Sequence, residues 1–418
     1  MKKIKAILIG AGNRGTECLA SYAINNPQEL EFVAVAEPNK IRRDLFARVH
    51  NIPHDMCFSS WEPLLEKKIE ADTVLICTQD NLHYLPAVSA LQCNYNVLLE
   101  KPMSTSPEEC VSLINIAEKS TGSLAICHVL RYTPFFTKLK QLLDSGTIGD
   151  LVSIAHNENV GYYHYAHSYV RGNWGNRKKS SPMILAKSCH DMDLLLWLVG
   201  SDCQYLSSFG SLSHFKAQNA PPNSPKHCLD GCDSKVVCPY YAPKHYLTSI
   251  VDWPSTTISE DSSLEARTKA LQKGPYGRCV YHCDNDVVDH QVVNMEFKNK
   301  VTATFTMCAF TNEVSRTIKI MGTKGEIRGA IDKNELEITT FLDGTKQIIC
   351  LITDDSGHNG GDFGLMRSYV AQLQTQNKEG FLTSGKVSLQ SHLMSFAAEK
   401  SRLESTVIDL GNYLLELA

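Results

Sequence analysis

The sequence has no apolar run long enough to cross a membrane. No run reaches the roughly 18 residues that a spanning helix needs, and the N-terminal run extends only from Ala6 to Ile9 before glycines follow. We therefore expect neither a transmembrane helix nor an export signal, and the cytoplasm is the default location. The sequence also lacks a charge excess, with 41 basic and 45 acidic residues. A nearly balanced chain has no global field for binding nucleic acid or anionic membranes.

The composition is that of a folded protein, and it contains no internal repeat or low-complexity segment. Hydrophobic residues make up 43% of the 418 residues and charged residues 21%, which argues against disorder. At about 150 residues per domain, the length predicts two or three domains. Ten of the 15 cysteines are scattered singly, as small core residues usually are, and a reducing compartment argues against structural disulfides.

Residues 1–128 alternate between strand and helix patterns. The predicted strands are continuous runs of Val, Ile or Leu, which indicates burial on both faces. They are Lys5–Gly10, Leu30–Ala36, Ala71–Cys77, Asn96–Leu99 and Gly122–Cys127. The intervening segments have helical spacing, so right-handed crossover units and a doubly wound parallel sheet are expected. We therefore predict an α/β protein with an N-terminal Rossmann domain.

Residues 129–418 change character and predict a second, α+β domain. A helix is predicted over Phe135–Ser145, a strand over Leu151–Asn157 and a strongly apolar helix over Asp191–Val199. From about residue 286 onward the pattern is rich in strands and hairpin signals, which predicts a large open antiparallel sheet. Residues 203–285 are rich in proline, serine and cysteine and lack periodicity. We predict a cysteine-rich insertion there, either a module or a functional loop.

A glycine-rich turn follows the first predicted strand. Residues Gly10–Gly15 read GAGNRG and fit the G-x-G-x-x-G pattern between a strand and a helix, which is the context that the motif requires. The glycines permit a tight turn, close approach of a pyrophosphate and close helix packing. Glu37 ends the second strand, where a carboxylate bonds ribose hydroxyls and repels a 2′-phosphate. NAD is therefore favoured over NADP, although Arg42 and Arg43 follow nearby.

Two further motifs carry a family resemblance. Glu100-Lys101-Pro102 follows the fourth strand, and the segment Cys189–Asp193, CHDMD, begins the apolar helix. With the glycine-rich turn and the strand-rich C-terminal half, the sequence resembles the glucose–fructose oxidoreductase, inositol dehydrogenase and MocA (Gfo/Idh/MocA) family. The resemblance implies a Rossmann domain, a second domain whose sheet often mediates oligomers, and nicotinamide-dependent redox chemistry. The implied substrate is a small carbohydrate or cyclitol, and the implied assembly is a homodimer or homotetramer.

The resemblance also assigns site residues. Lys101 matches the family's active-site lysine, and His190 matches its catalytic histidine. Many members place an aspartate four residues before that histidine, where this sequence has Ala186 next to Lys187. Lys187 is a candidate for the missing group, with its pKa lowered by the nearby charge of Lys101, or for binding a substrate carboxylate. The expected cofactor-binding residues are Gly10, Gly12, Asn13, Arg14, Gly15, Glu37, Thr78, Asn81, His83, Glu100 and Lys101.

A polar and aromatic stretch at residues 156–177 is the main candidate for the substrate pocket. Rings could stack on a sugar while polar side chains bond its hydroxyls, and a solvated loop is the alternative. The segments 289–290 and 358–362 are weaker candidates for the same pocket. A catalytic metal on His164 and His167 is disfavoured, because glycine and β-forming residues there argue against a helix. The expected substrate residues are Arg131, Glu158, Tyr162, His164, His167, Arg171, Trp174, Asp191 and His290.

Five cysteines cluster in the predicted insertion: Cys228, Cys232, Cys238, Cys279 and Cys283. Four thiolates would form a tetrahedral structural zinc site and would stabilise an insertion that has little core of its own. The predicted ligands are the first three cysteines and one of the last two. The spacing is not the usual pair of C-x-x-C motifs, so free or partly oxidised thiols and an iron–sulfur cluster are the alternatives.

Three functional hypotheses fit these residues. The first is an NAD-dependent dehydrogenase that transfers hydride between the cofactor and a hydroxyl or keto carbon of a sugar, sugar derivative or cyclitol. A histidine would take the hydroxyl proton and a lysine would stabilise the developing alkoxide. The second is a glycoside-cleaving enzyme that combines transient oxidation, elimination and re-reduction with retained NAD. The third is a non-catalytic nucleotide-sensing regulator, in which Lys101 and His190 would be dispensable.

Overall fold

The N-terminal sheet is parallel and has the strand order of a dinucleotide-binding domain. Its strands are β1 (Ile4–Ile9), β2 (Leu30–Ala36), β3 (Cys57–Phe58), β4 (Thr73–Ile76), β5 (Asn96–Leu99) and β6 (Leu124–Ile126). In the computed structural model, which describes residues 2–353, 357–375 and 380–417, they pair in the order β3-β2-β1-β4-β5-β6. The order reverses between β1 and β4, and ligands of doubly wound sheets bind outside the carboxyl ends of the strands at such a point.

Both faces of this sheet are buried, which explains why its strands are apolar throughout. In β1, Ile4, Ala6 and Leu8 pack into one apolar cluster, whereas Ile7 and Ile9 pack into another. Helical segments connect the strands and cover these faces. They are a π-helical segment at Arg14–Ala20, α1 (Ser21–Asn25), α2 (Lys40–His50), α3 (Trp61–Glu66), α4 (Tyr84–Gln92) and α5 (Pro107–Lys119).

The C-terminal half contains a second, larger sheet. Its strands are β7 (Leu151–Asn159), β8 (Cys203–Ser211), β9 (His290–Phe297), β10 (Thr302–Cys308), β11 (Ser315–Gly322), β12 (Gly325–Ala330), β13 (Glu335–Thr340), β14 (Lys346–Cys350) and β15 (Ile408–Asp409). Within the described residues they pair in the order β14-β13-β12-β11-β7-β10-β9-β8-β15. The sheet is antiparallel except for β7 and β10, which run parallel.

The helices of this half pack on one another and on the second sheet. They are α6 (Pro134–Asp144), α7 (Tyr162–Tyr165), a π-helical segment at Ala166–Arg171, α8 (Met183–Ala186), α9 (Cys189–Val199), α10 (Ala242–Tyr246), α11 (Leu264–Lys273), α12 (Gly361–Thr375), α13 (Gly385–Glu404) and α14 (Leu410–Leu417). Helix α13 packs against β8, α9 and α5, and it thereby joins the two halves of the chain. No helix in the described part of the chain is long and apolar enough to span a bilayer.

The predicted α/β architecture is confirmed, but three details of it were wrong. Residues 203–211 are not part of the irregular insertion, because they form β8 and pair with β9. Strand β14 was not predicted, since it is an edge strand whose residues are mostly exposed and form no apolar stripe. The parallel pairing of β7 with β10 was not predicted either, because pairing direction depends on contacts that are remote in sequence.

The segment between β8 and β9, residues 212–289, contains the cysteine cluster and is called the insertion below. It has a small apolar cluster of its own, formed by Cys228, Ala242, Tyr246 and Leu271. Three short helical elements lie near this cluster: α10, α11 and a 3₁₀ turn at Pro275–Gly277. The insertion is thus a folded module with a minor core, and residues of the segment 162–171 anchor it.

Candidate active site

The glycine-rich turn has the shape that a bound pyrophosphate requires. Gly10 adopts a φ of +94°, and a Cβ placed there would lie 2.7 Å from the Cys77 carbonyl oxygen. A Cβ at Gly15 would lie 2.2 Å from the Gly10 carbonyl oxygen. A Cβ at Gly12, in contrast, would have no described atom within 4 Å. The outer two glycines thus permit close packing, and the middle one leaves space beside the turn for a phosphate group.

Glu37 lies at the end of β2 and is bound to the same turn. Its Oε2 accepts a hydrogen bond from Ala11 N at 2.8 Å, and its Oε1 accepts one from Asn39 N at 2.9 Å. The nearby arginines both have partners: Arg42 Nε donates to Glu260 at 2.7 Å, and Arg43 donates to the Glu37 carbonyl. A carboxylate can accept hydrogen bonds from ribose hydroxyls, whereas a 2′-phosphate needs a free arginine beside it. This arrangement therefore fits NAD better than NADP.

Arg14 connects the glycine-rich turn to the C-terminal half of the chain. It donates to Glu100 at 2.8 Å and to Asp362 at 3.0 Å, and His358 also contacts Asp362 at 3.0 Å. Burial alone would raise the pKa of Asp362, but His358 and Arg14 lower it below its usual value. The ring centroid of His358 lies 6.1 Å from that of His190. The segment 358–362, a weaker sequence candidate, therefore lies beside the predicted site.

Lys101 and His190 come together at the carboxyl edge of the N-terminal sheet. Lys101 follows β5, and its Nζ donates to the carbonyl of Ala186, the last residue of α8, at 2.7 Å. His190 lies in the first turn of α9 and is buried. Its Nδ1 has no hydrogen-bond partner among the described residues. Burial, followed by the Lys101 charge, holds the pKa of His190 well below its usual value, so the imidazole is neutral.

Two more buried histidines extend behind His190. The His128 ring lies 5.7 Å from that of His190 and 5.4 Å from that of His392. Burial lowers the pKa of His128 well below its usual value, and it lowers that of His392 to about 3. His392 Nε2 accepts a hydrogen bond from Met103 N at 2.9 Å. Neither ring nitrogen of His128 has a hydrogen-bond partner within the described structure, although its Nε2 lies 3.7 Å from Asp193 Oδ1. His128 follows β6, so it belongs to the same sheet edge as Lys101.

Lys187 belongs to a buried network of charges. Its Nζ lies 3.3 Å from Glu158 Oε1, and Arg316 Nη2 lies 2.8 Å from Glu158 Oε2. Burial lowers the pKa of Lys187, an effect that Glu158 opposes and Arg316 reinforces. His164 is half-buried, and its pKa is lowered well below the usual value by desolvation and by Lys187. The predicted Glu158, His164 and Lys187 therefore do meet in space.

Asp191 is the second carboxylate of this network. It accepts from Arg316 Nε at 2.7 Å, and His156 Nε2 lies 2.8 Å from its Oδ1. Burial alone would raise the pKa of Asp191, but Arg316 and His156 lower it to about 2. Asp191 is thus ionised and has no role as an acid near neutral pH. It fixes Arg316, which in turn holds Glu158.

The strand-end residues after β4 support the edge of the sheet. The ring nitrogens of His83 lie 2.6 Å from the Pro102 carbonyl and 3.1 Å from the Thr78 carbonyl. Thr78 Oγ1 donates to the Leu82 carbonyl, and Asn81 is exposed. His83 therefore couples the segment after β4 to the Glu100–Pro102 segment that carries Lys101.

Two family profiles match this chain. Residues 4–128 match the NAD-binding Rossmann fold of an oxidoreductase family, and residues 140–384 match the C-terminal alpha/beta domain of the same family. The chain belongs to the Gfo/Idh/MocA oxidoreductase family. Residues 4–128 are therefore an NAD-binding Rossmann domain, and the resemblance inferred from the motifs is confirmed.

Relatives with assigned names are distant in sequence. The YteT protein of Bacillus subtilis (strain 168), whose name describes an oxidoreductase, is 26% identical over 307 residues, which cover 70% of each chain. An inositol 2-dehydrogenase of Corynebacterium glutamicum (strain R) is 25% identical over 48% of this chain and 55% of its own length. A 2,7-anhydro-N-acetylneuraminate hydratase of Escherichia coli (strain K12) is 25% identical over 37% of this chain and 41% of its own.

Solved structures confirm the Gfo/Idh/MocA fold over the whole chain. A levoglucosan dehydrogenase in complex with NADH and L-sorbose has a TM-score of 0.72 at 16% identity, and the match covers 98% of this chain and 99% of that one. An oxidoreductase of Agrobacterium radiobacter, in complex with NAD+, L-tartaric acid and magnesium, has a TM-score of 0.71 at 15% identity, with 99% and 100% covered. At such identities the likeness shows the fold alone.

Several predicted substrate residues of this family member instead hold the structure together. Arg131 forms a buried bidentate ion pair with Asp193, at 2.6 and 2.7 Å, and donates its remaining group to the Leu382 carbonyl. Arg171 is buried and donates to the carbonyls of Arg278 and Tyr240. Both guanidinium groups are thus engaged by protein atoms, so the prediction that they bind the substrate is not supported.

The aromatic part of the stretch 156–177 faces the insertion. His167 Nδ1 lies 2.9 Å from the Tyr246 hydroxyl, and the His167 ring stacks on Tyr276 with centroids 4.7 Å apart. Tyr162 packs edge-on against Tyr240. These rings pack against the insertion, and they do not form the sugar-stacking surface that the sequence predicted.

Trp174 and His290 have other local partners. Trp174 Nε1 donates to Asp80 at 3.0 Å, which fixes the turn after β4. His290 begins β9, is 46% exposed and lies 2.8 Å from its neighbour Asp289. No contact of either ring with Lys101 or His190 occurs in the described structure. Of the predicted substrate residues, Glu158, His164 and Asp191 are the ones that meet around Lys187.

The prediction of a structural zinc site is not supported. Cys228, Cys232, Cys238 and Cys279 do line one cavity, but its volume is only about 10 Å³. Burial raises the pKa of Cys279 to about 11 and also raises that of Cys238. Across residues 2–353, 357–375 and 380–417, no group of three or more His, Cys, Asp or Glu side chains is arranged to hold a metal ion.

The fifth cysteine and the neighbouring arginine complete this thiol cluster. Cys283 Sγ donates to the Cys279 carbonyl at 3.3 Å and is not among the residues that line the cavity. Arg171 Nη2 lies 3.8 Å from Cys228 Sγ and places a cation beside the thiols. The alternative of free thiols is therefore the one that the structure agrees with, since all 15 cysteines are free.

Sequence reasoning missed Arg316 and His128. Arg316 stands opposite Glu158 in the pairing of β11 with β7, and no sequence pattern gives that register. His128 could have been found, because it lies two residues after β6, as Lys101 lies two residues after β5. Polar residues at the carboxyl ends of parallel strands line the ligand crevice.

Proposed function

We propose that this protein transfers hydride between NAD and a hydroxyl-bearing carbon of a sugar, sugar derivative or cyclitol. The observation that carries the proposal is the pair formed by a buried, neutral His190 and Lys101 at the edge of an NAD-binding sheet. When bound, NAD supplies the acceptor for the hydride. The residues that would hold it are the glycine-rich turn and Glu37, since the turn leaves space at Gly12 and the carboxylate lies beside it.

His190 is proposed as the general base. A group that takes a hydroxyl proton must be unprotonated, and the lowered pKa of His190 keeps it so at neutral pH. Its unpartnered Nδ1 has no competing hydrogen bond within the described structure. A positioned base of this kind accelerates proton transfer by about 10²–10⁴-fold.

Lys101 is proposed to stabilise the alkoxide that develops as the proton leaves. Its Nζ uses one N–H group for the Ala186 carbonyl, which orients the ammonium group and leaves two N–H groups for a substrate oxygen. No carboxylate lies within ion-pairing distance of Lys101 in the described residues, so its charge is available to the substrate. Around it, Glu158 and Asp191 balance the charges of Lys187 and Arg316. This balance suits an uncharged polyol.

A panel of sugars, uronates, amino sugars and inositols, followed by the absorbance of NADH, tests the proposal. Steady accumulation of NADH with at least one member, lost in Lys101→Ala, is the expected result. A regulator without catalytic function would bind NADH and give no turnover with any member, and it would respond little to the substitution.

A second candidate function is redox-assisted cleavage of a glycoside, and Lys187 favours it. Transient oxidation of a ring hydroxyl to a ketone acidifies the neighbouring C–H, and a base removes that proton. The leaving group departs with its electron pair and takes up a proton, and water adds to the double bond that forms. The hydride is finally returned to the carbonyl carbon while a proton goes to its oxygen. A buried lysine with a lowered pKa beside Glu158 is suited to be that base. The E. coli relative is named a 2,7-anhydro-N-acetylneuraminate hydratase, and the addition of water to a molecule is not a net redox reaction. NADH would then not accumulate during turnover.

NAD as the preferred cofactor and a symmetric oligomer are proposed as well. The preference for NAD rests on Glu37 and on the engaged Arg42 and Arg43. The oligomer, a homodimer or homotetramer, rests on the family resemblance, and light scattering of the purified protein tests it.

A further inference from the structure

The insertion reaches the dinucleotide half of the molecule. A cavity of about 400 Å³ is lined on one side by the glycine-rich turn and α2, including Gly12, Asn13 and Arg42. On its other side it is lined by the insertion residues Thr257, Ser259 and Glu260. A module that lies more than 200 positions away in the sequence therefore forms part of the wall of a cavity beside the cofactor-binding turn.

One ion pair connects the two sides of this cavity. Arg42 Nε, in the first turn of α2, lies 2.7 Å from Glu260 Oε1. The two side chains are 43% and 40% exposed, so the pair is accessible to solvent and can open without disturbing a core. Arg42 lies five residues after Glu37, in the first turn of the helix that follows it, so the pair lies near the expected position of the adenosine ribose.

The segment that bears Glu260 is anchored firmly at its base. Thr257 Oγ1 lies 3.3 Å from His167 Nε2 and donates to the Pro254 carbonyl at 2.8 Å. Arg267, at the start of α11, is buried and donates to the carbonyls of Ser262 and Tyr246. The base of the segment is therefore bound to the C-terminal half, whereas its tip is bound to the Rossmann half through Glu260.

We propose that the insertion segment Ser255–Glu260 forms the outer wall of the adenosine end of the cofactor site, and that the Arg42–Glu260 pair is a clasp that slows cofactor release. This inference rests on the proposed function, because it needs a dinucleotide at the glycine-rich turn. A bound dinucleotide would be covered by the glycine-rich turn on one side and by the hydroxyl-bearing Thr257 and Ser259 on the other. Opening the clasp precedes its departure.

Dissociation of NADH tests the clasp without using turnover. The protein is loaded with NADH, mixed with excess NAD+, and the decay of protein-bound NADH fluorescence is followed in the wild type, Arg42→Ala and Glu260→Ala. An exposed ion pair has a modest energy, so we expect each variant to release NADH about threefold faster. The charge-reversed double variant, Arg42→Glu with Glu260→Arg, is expected to restore slow release.

Lys40→Ala is the matched control. Lys40 lies in the same first turn of α2 and pairs with Asp44 on the same helix, so its removal deletes a neighbouring exposed ion pair without touching the insertion. We expect unchanged NADH release from this variant. Ser259→Phe tests the wall itself, since a ring inside the cavity competes with the cofactor, and an NADH affinity about tenfold weaker is expected.

The outcomes separate this inference from the proposed function. The clasp would be contradicted if both single variants released NADH at the wild-type rate. It would also be contradicted if Arg42→Ala alone released NADH faster, because Arg42 would then contact the cofactor without Glu260. An unchanged affinity in Ser259→Phe would overturn the wall. A wild type that binds neither NAD+ nor NADH would overturn the proposed function, and the inference with it.

Discussion

Arg316 of β11 stands directly opposite Glu158 of β7, and its guanidinium lies 2.8 Å from that carboxylate. This cross-strand pair connects the second sheet to the site, because Glu158 also contacts Lys187 at 3.3 Å. A buried carboxylate needs partners of opposite charge, and Glu158 has two of them. The large sheet thus positions the Lys187 end of the site, while the Rossmann sheet positions Lys101.

Removing the Lys101 ammonium tests the proposed chemistry. Lys101→Ala is expected to lower turnover by about a thousandfold, since both alkoxide stabilisation and the orientation of the site are lost. The NADH dissociation constant, measured by fluorescence titration, is expected to stay within about twofold of the wild type, because the glycine-rich turn and Glu37 are untouched.

Lys119→Ala is the control for this experiment, since Lys119 ends α5 and is exposed. Its turnover and NADH affinity are expected to match those of the wild type. Unchanged turnover in Lys101→Ala would contradict the assignment, and a large loss of NADH affinity would move Lys101 to cofactor binding.

Glu37→Ala tests cofactor selection. Loss of a charged acceptor for ribose hydroxyls costs about 2 kcal/mol, or about thirtyfold in NAD affinity. NADP affinity is expected to fall less, because repulsion of the 2′-phosphate disappears together with the carboxylate. The ratio of the two dissociation constants, from parallel titrations, measures the effect. Glu31→Ala, on the same strand with an ion pair to Lys3, controls for the loss of a carboxylate.

Substitutions of Arg131 test whether this residue stabilises the fold or binds the substrate. Arg131→Met leaves Asp193 buried without its partner, which is expected to lower the free energy of unfolding by about 3–5 kcal/mol. The double variant with Asp193→Leu is expected to recover much of that loss, because no unpaired charge remains. Urea unfolding measures both. An Arg131→Met protein of normal stability but raised KM would instead return Arg131 to the substrate pocket.

The sequence identified the residues of the site that follow a recognisable local pattern. Gly10–Gly15, Glu37 and Lys101 each lie at the end of an apolar strand, and the order of parallel strands brings such ends to one edge. The predicted helix that begins near His190 is also present, as α9. These predictions needed only periodicity, strand ends and the motif resemblance.

Residues whose roles depend on tertiary contacts were misjudged. Arg131, Arg171 and His167 had the polar character of substrate ligands, but each is engaged by a partner that is remote in sequence. A polar residue next to a candidate pocket can equally bind another part of the chain, and only the fold distinguishes the two. The five cysteines of the insertion suggested a metal by their clustering in the sequence, but no described group of three or more such side chains is arranged to hold a metal ion.

His392 is expected to make the stability of the folded protein depend on pH in the acidic range. Its pKa in the folded state is lowered to about 3 by burial, against about 6.5 in an unfolded chain. Between these two pKa values the unfolded state binds one more proton at this site than the folded state does. The contribution of His392 to the free energy of unfolding is therefore fully present above about pH 6.5 and is lost as the pH falls below that value. This site contributes about 1.4 kcal/mol per pH unit in that range.

In His392→Gln, the free energy of unfolding should therefore depend less steeply on pH between about pH 6 and about pH 5. The decrease in slope should correspond to the uptake of close to one proton fewer on unfolding. The readout is the slope of the unfolding free energy against pH, which a uniform loss of stability in the variant does not change. His54→Gln, at an exposed position, is expected to keep the wild-type slope. Equal slopes in all three proteins would show that His392 titrates alike in the folded and unfolded states.

Lys187→Met distinguishes the two proposed reactions. The substitution removes a buried ammonium group next to Glu158 but leaves Lys101 and His190 in place. For a simple dehydrogenase, NADH still accumulates and turnover falls by about tenfold, because Lys187 touches the reacting hydroxyl only indirectly. For redox-assisted cleavage, the wild type releases the aglycone of an aryl glycoside without accumulating NADH and exchanges the neighbouring C–H with deuterated water.

In that second case Lys187→Met is expected to lose both exchange and cleavage, since the base for the C–H proton is gone. Lys178→Met, an exposed substitution nine positions earlier, is the control and should change neither reaction. A Lys187→Met protein that exchanges deuterium at the wild-type rate would exclude Lys187 as that base. The favoured dehydrogenase reaction then depends on Lys101 and His190 alone, and Lys187 serves as an ion-pair partner of Glu158.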